Sequence, residues 1–122
     1  MKIKSGNITV MVSDFDRAVR FYTETLGMNL RSRYESEWAE VEAGGFVIGL
    51  HPARHGQSVP TNDALSIGLE VDDIDAAVRE LGGRGVAFPR GVKDDGGVRL
   101  APFADADGYP LYLCQVYHGA KA

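Results

Sequence analysis

Two apolar periods alternate along this chain. In residues 7–12, Ile8, Val10 and Val12 alternate with Asn7, Thr9 and Met11, and in residues 65–71, Leu65, Ile67, Leu69 and Val71 alternate with Ser66, Gly68 and Glu70. Strict alternation predicts a strand with one face packed and one face open. Each strand runs into an i, i+4, i+7 pattern: Phe15, Val19, Tyr22 and Leu26 in the first case, and Ile74, Val78 and Leu81 in the second. That spacing predicts an amphipathic helix lying on the sheet. Asp14 and Asp73 stand where a carboxylate caps the free N–H groups of the first turn, and Asp16 and Asp75 sit at the positive end of the helix dipole. Gly27 and the Gly82-Gly83 pair are expected to stop the helices.

The two segments are copies of one another. Residues 12–20, "VSDFDRAVR", and 71–79, "VDDIDAAVR", agree at six of nine positions. After the first helix the pattern predicts strands at about 29–35, 37–43 and 46–51, with Gly44-Gly45 as the turn between the last two. After the second it predicts strands at about 86–90, 97–104 and 109–116, divided by Gly96-Gly97 and the Asp105-x-Asp107-Gly108 turn. The fold class is therefore α+β, with two βαβββ modules. The first covers about 1–51 and the second about 64–118, joined by a polar linker, 52–63, that contains Pro52 and Pro60. Together they read as one domain spanning 1–122.

Sorting the later strands by parity sets Phe46, Ile48 and Leu50 against Val47, Gly49 and His51, and Leu111 and Leu113 against Pro110, Tyr112 and Cys114. One face is apolar. The other mixes Asn, Thr, Ser, Glu, His, Tyr and small residues, as a concave binding surface does. The candidate ligand-binding set is Asn7, Met11, Trp38, His51, Ser66, Glu70, Phe103 and Tyr112, with Tyr34 and Phe46 as further aromatic lining. In each case ordinary core packing, or satisfaction by water, is the alternative. Glu70 and His51 are the candidates for acid-base chemistry. A carboxylate on an inward face must find a partner or stay protonated, or else Glu70 is a solvated residue paired with Arg99 or Arg31. Cys114 has no adjacent base and reads as a small buried hydrophobe.

These residues resemble the vicinal oxygen chelate superfamily, which includes glyoxalase I, extradiol dioxygenases, fosfomycin-resistance proteins and bleomycin-binding proteins. The resemblance is carried by "VSDFDRAVRFYTETLGMNL" (12–30), "LEVDDIDAAVREL" (69–81) and "DADGYPLYL" (105–113). It implies that the modules form an open, barrel-like, eight-stranded sheet, completed by homodimerisation. It also implies four metal-ligand positions, which fall here on Asn7, Gly49, Ser66 and Tyr112, with His51 in place of Gly49 if the strand slips by two. An amide, a hydrogen, a hydroxyl and a phenol do not make a divalent-metal site. A His51 and Glu70 pair is two ligands short of one. The expectation is therefore a small-molecule-binding protein without metal or other cofactor, similar to the drug-sequestering branch. The alternative is a glyoxalase-like lyase, isomerase or dioxygenase, with a displaced metal or with metal-free His/Glu catalysis.

Composition narrows the partners. With 13 Lys and Arg against 17 Asp and Glu, the net charge is -4, which argues against a nucleic acid. One cysteine in the chain fits a reducing compartment. The N-terminus lacks an apolar signal segment, and no run approaches the ~20 residues of a membrane span. The expected location is cytoplasmic, with no membrane partner.

Overall fold

A computed structural model describes residues 1–56, 58–59 and 65–116. His118 and much of the second half of the linker lie outside the described residues. Contacts divide the chain into two compact units, Met1–Thr61 and Asn62–Ala122.

In the first unit the order is β1 (Ile8–Val12), α1 (Phe15–Arg20), β2 (Asn29–Tyr34), β3 (Trp38–Ala43) and β4 (Phe46–Pro52). The sheet order is β1-β4-β3-β2, with β1 parallel to β4 and the other pairs antiparallel. Only the βα crossover returns the chain parallel to itself. The second unit repeats this plan with β5 (Ile67–Glu70), α2 (Ile74–Gly83), β6 (Lys93–Asp94), β7 (Val98–Ala104) and β8 (Pro110–Val116), in the order β5-β8-β7-β6. The βαβββ reading of each half holds.

The helices start where the sequence places them. Asp14 accepts from the Arg17 N–H and Asp73 from the Ala76 N–H, each at 3.1 Å. Replacing Asp73 by alanine is expected to lower stability by about 1 kcal/mol, because one orphan N–H loses its acceptor. Urea unfolding of that variant is the measurement. A π-helical turn, Phe21–Thr25, continues α1, and Tyr22 within it is fully buried, with Phe21 set edge-on at 5.4 Å. Gly27, at φ 78°, then ends the helical run.

The helix side of each sheet holds the core. Val10, Val12, Ala39, Val41, Ile48 and Leu50 form it in the first unit, against Phe15, Ala18 and Val19 of α1, and Ile67, Ala101, Phe103, Leu111 and Leu113 form it in the second. Two residues assigned to this face fall at its margin: Ile8 and Leu65 are 46% and 72% exposed, the first beginning β1 and the second preceding β5. Arg99 ties the second unit together, its guanidinium donating to both oxygens of Asp75 at 2.8 and 3.3 Å and to Asp94 at 3.1 Å. The Arg99 bond holds the Asp75 carboxyl below its ordinary range.

Two expectations are corrected. Residues 86–90 are not a strand: a turn closed by the Gly91 N–H on the Phe88 carbonyl interrupts the alternation, and β7 pairs instead with the two-residue β6. Gly82 and Gly83 do not stop α2. They form its last turn, and the left-handed residue is Gly85, at φ 95°.

Candidate functional site

Register decides which residues share the face opposite each helix. In β1 and β4, Thr9 pairs with Gly49 and Met11 with His51. In β5 and β8, Gly68 pairs with Tyr112 and Glu70 with Cys114. Thr9 and Gly68 correspond in the repeat, so Gly49 and Tyr112 occupy equivalent positions. The slip that would have put His51 there is excluded. The open face of the first unit therefore carries Met11, Gly49 and His51, to which β3 adds Trp38, Glu40 and Glu42 through the pairs Glu40–Gly49 and Glu42–Val47. That of the second unit carries Gly68, Glu70, Tyr112 and Cys114.

On each face an aromatic ring lies over a glycine. A Cβ built on Gly49 would fall within 3 Å of Cη2 and Cζ2 of the Trp38 indole, and one on Gly68 would overlap Cζ and Oη of Tyr112. A strand glycine marks such a close approach. The indole is held from its edge as well: its Nε1–H donates to Glu40 Oε2 at 3.3 Å, and Arg31 Nε stands 3.7 Å from the other carboxylate oxygen. Arg31 can reach because it is the residue at which β2 slips register, between Leu30 and Ser32. Tyr34, 62% exposed, pairs with Trp38 across β2 and extends the aromatic surface. Beside it a shallow groove of about 460 Å³ is lined by Asn29, Leu30, Arg31, Glu42, Gly45 and Val47.

Not every predicted site residue joins these faces. Phe103 is corrected: it pairs with Leu111 on the helix side of β7, is buried, and packs on Phe88 at 5.3 Å. Asn7 and Ser66 are exposed and each precedes its strand by one residue, and the Asn7 side-chain Oδ1 accepts from the Thr9 hydroxyl at 3.1 Å. His51 is exposed, with Nδ1 2.7 Å from the Pro52 carbonyl oxygen. Glu70 is exposed beside the half-buried Cys114. Glu40 was missed. The W-A-E-V-E-A alternation of β3 contains it, since Trp38, Glu40 and Glu42 share one parity and the buried Ala39 and Val41 the other.

The four positions implied for a metal do not fit one. Gly49 offers no donor and is covered by an indole, Tyr112 offers a phenol laid on Gly68, and Asn7 and Ser66 supply no charge. Among the described residues, no group of three or more His, Cys, Asp or Glu side chains is placed to hold an ion.

Burial, then the negative charge of Glu70, pushes the Cys114 thiol above its ordinary value near 9. A raised native pKa contributes stability at pH below the unfolded value, and that contribution is lost as pH rises through the native one. Cys114 is the sole thiol of the chain. Iodoacetamide is expected to modify it more slowly in the native protein than in the urea-unfolded chain at neutral pH, with the native rate still rising at pH values where the unfolded rate has levelled off. Equal rates at neutral pH would contradict the placement.

Comparison with known proteins yields a family. The model of the Glyoxalase/Bleomycin resistance protein/Dioxygenase superfamily matches residues 4–113. An uncharacterized protein of Mycolicibacterium smegmatis is 30% identical over 105 residues, 85% of this chain and 86% of that one. Among solved structures, TnmS3, an antibiotic binding protein from a Streptomyces species, is 30% identical with a TM-score of 0.70, covering 94% of this chain and 99% of its own. A glyoxalase/bleomycin resistance protein/dioxygenase from Nocardioides is 23% identical with a TM-score of 0.76, covering 98% and 87%.

Proposed function

This chain belongs to the Glyoxalase/Bleomycin resistance protein/Dioxygenase superfamily, and from that premise we propose that it binds a small, flat organic molecule by stacking, without a metal. The observation that carries the reading is the seating of Trp38 on Gly49. Where a metal-dependent relative would present a ligand, this chain lays the six-membered ring of an indole. An indole offers a large apolar surface at small entropic loss, and stacking adds to the gain from burial. Tyr112 on Gly68 supports the same reading for the second unit. The phenol there has an apolar face and a polar tip, suited to the rim of an aromatic ligand. TnmS3 is described as antibiotic binding, and drug sequestration is the biological form this proposal takes. Homodimerisation and cytoplasmic residence belong to the proposal as well. No helix among the described residues is long and apolar enough to cross a membrane.

A thermal-shift screen over antibiotics, glutathione conjugates, catechols and 2-oxo acids tests it. A ligand that binds only the native state at a hundred times its Kd adds about 2.7 kcal/mol, and a rise of several degrees is expected for a planar aromatic compound. A blank screen would leave the reading without support. The enzymatic alternative rests on His51 and Glu70, each exposed on the face opposite its helix. Turnover of a 2-oxo acid or catechol that Glu70→Gln abolishes would replace binding by catalysis.

A further inference from the structure

The geometry points to His51 Nε2 as a fixed hydrogen-bond acceptor beside the Trp38 platform, selecting planar aromatic ligands that carry a hydroxyl or N–H donor on their edge. This deepens the binding proposal and rests on it. The first step concerns the tautomer. Nδ1 of His51 lies 2.7 Å from the Pro52 carbonyl oxygen. A carbonyl oxygen only accepts, so the nitrogen facing it carries the hydrogen, and in a neutral imidazole the other nitrogen then holds a lone pair. Nε2 is therefore an acceptor, and the bond at Nδ1 keeps the ring from turning to offer a donor instead.

The second step concerns position. His51 shares its sheet face with Gly49, two residues away along β4, a separation of about 7 Å. Gly49 is the residue the Trp38 indole covers. The strand on the other side of β4 offers Met11 opposite His51 and Thr9 opposite Gly49, neither of which carries charge. A ring system stacked on the indole and extending along β4 toward His51 presents its edge to Nε2. The thioether of Met11 adds soft apolar surface on which such an edge packs. A donor on that edge gains a hydrogen bond. An ether or hydrocarbon edge leaves Nε2 desolvated and unpaired, and that asymmetry produces selectivity.

The test uses a matched pair of probes, 2-naphthol and 2-methoxynaphthalene, which share the ring system and differ in the donor. Their binding is measured by calorimetry at about pH 8, where imidazole side chains are in general neutral. The full-length chain is expected to bind the naphthol about tenfold more tightly than the ether. His51→Phe, which keeps an aromatic ring and removes the acceptor, brings that ratio to about one. His51→Gln, which restores an amide oxygen, recovers part of it. Equal affinity of the two probes for the unmodified chain, or an undiminished ratio in His51→Phe, overturns the assignment and leaves the stacking proposal standing. Binding of neither probe overturns both.

Discussion

Ile48→Ala is expected to destabilise the protein by about 2–5 kcal/mol, against a total that for domains of this size is about 5–15 kcal/mol. Ile48 is fully buried and sits in β4, the strand that pairs with β1 on one side and β3 on the other. Its side chain lies on the helix face between its partners Ile8 and Val41, with Val10 and Leu50 on the same face, so removing three carbons leaves a cavity that the paired backbones on either side cannot close. The cost is the lost transfer energy and the unfilled volume together. Urea unfolding followed by Trp38 fluorescence should show a lower midpoint at unchanged slope, and Ile48→Val should lose only about 0.5–1.5 kcal/mol. An unfolding free energy for the alanine variant within a few tenths of a kcal/mol of the parent would place Ile48 outside the core and undo the facing of β4. Gly49 would then lose its assignment to the open side.

Trp38→Ala should weaken ligand binding on the order of tenfold or more while leaving the fold intact. A stacked aromatic surface is worth about 1–3 kcal/mol per ring by alanine substitution, and 1.4 kcal/mol is a factor of ten. The indole is half-buried and packs over Gly49 rather than into the core, so stability changes less than affinity. Gly49→Ala sharpens the test because it keeps the tryptophan. Its methyl group occupies the space of Cη2 and Cζ2, and the atoms that must give way are the far end of a side chain rather than backbone. The ring tilts off the strand and the N–H bond to Glu40 is strained, with affinity falling toward that of Trp38→Ala. If Gly49→Ala binds ligand as well as the parent chain, the seat of the indole is not what prepares the surface.

The repeat made the fold legible. The two acidic helix starts revealed both caps and the strand parities, but the register of β4 stayed open by two residues until the pairing of Thr9 with Gly49 closed it. Failures arose where local pattern and tertiary context part. Val86 and Phe88 alternate like a strand, but Pro89 lacks an N–H to pair and the Phe88–Gly91 turn bends the chain, so Phe88 serves the core by packing on Phe103. The facing of Phe103 depends on its pairing with Leu111, a cross-strand register that no pattern within β7 alone reveals. Glu40 was legible in the parity of β3. What no parity could show is that Trp38 folds back over Gly49, because a glycine reveals only that something approaches, not what.

The central claim is that an indole seated on a strand glycine, and no metal, holds the ligand. Its most direct test is titration of the leading compound from the thermal screen onto the chelator-stripped protein, followed by the fluorescence of Trp38, the only tryptophan in the sequence. The expected result is a saturable change with the same midpoint before and after Zn, Ni, Fe or Mn is restored. Binding that appears only when one of these ions is returned, at one tightly held ion per chain, would contradict it.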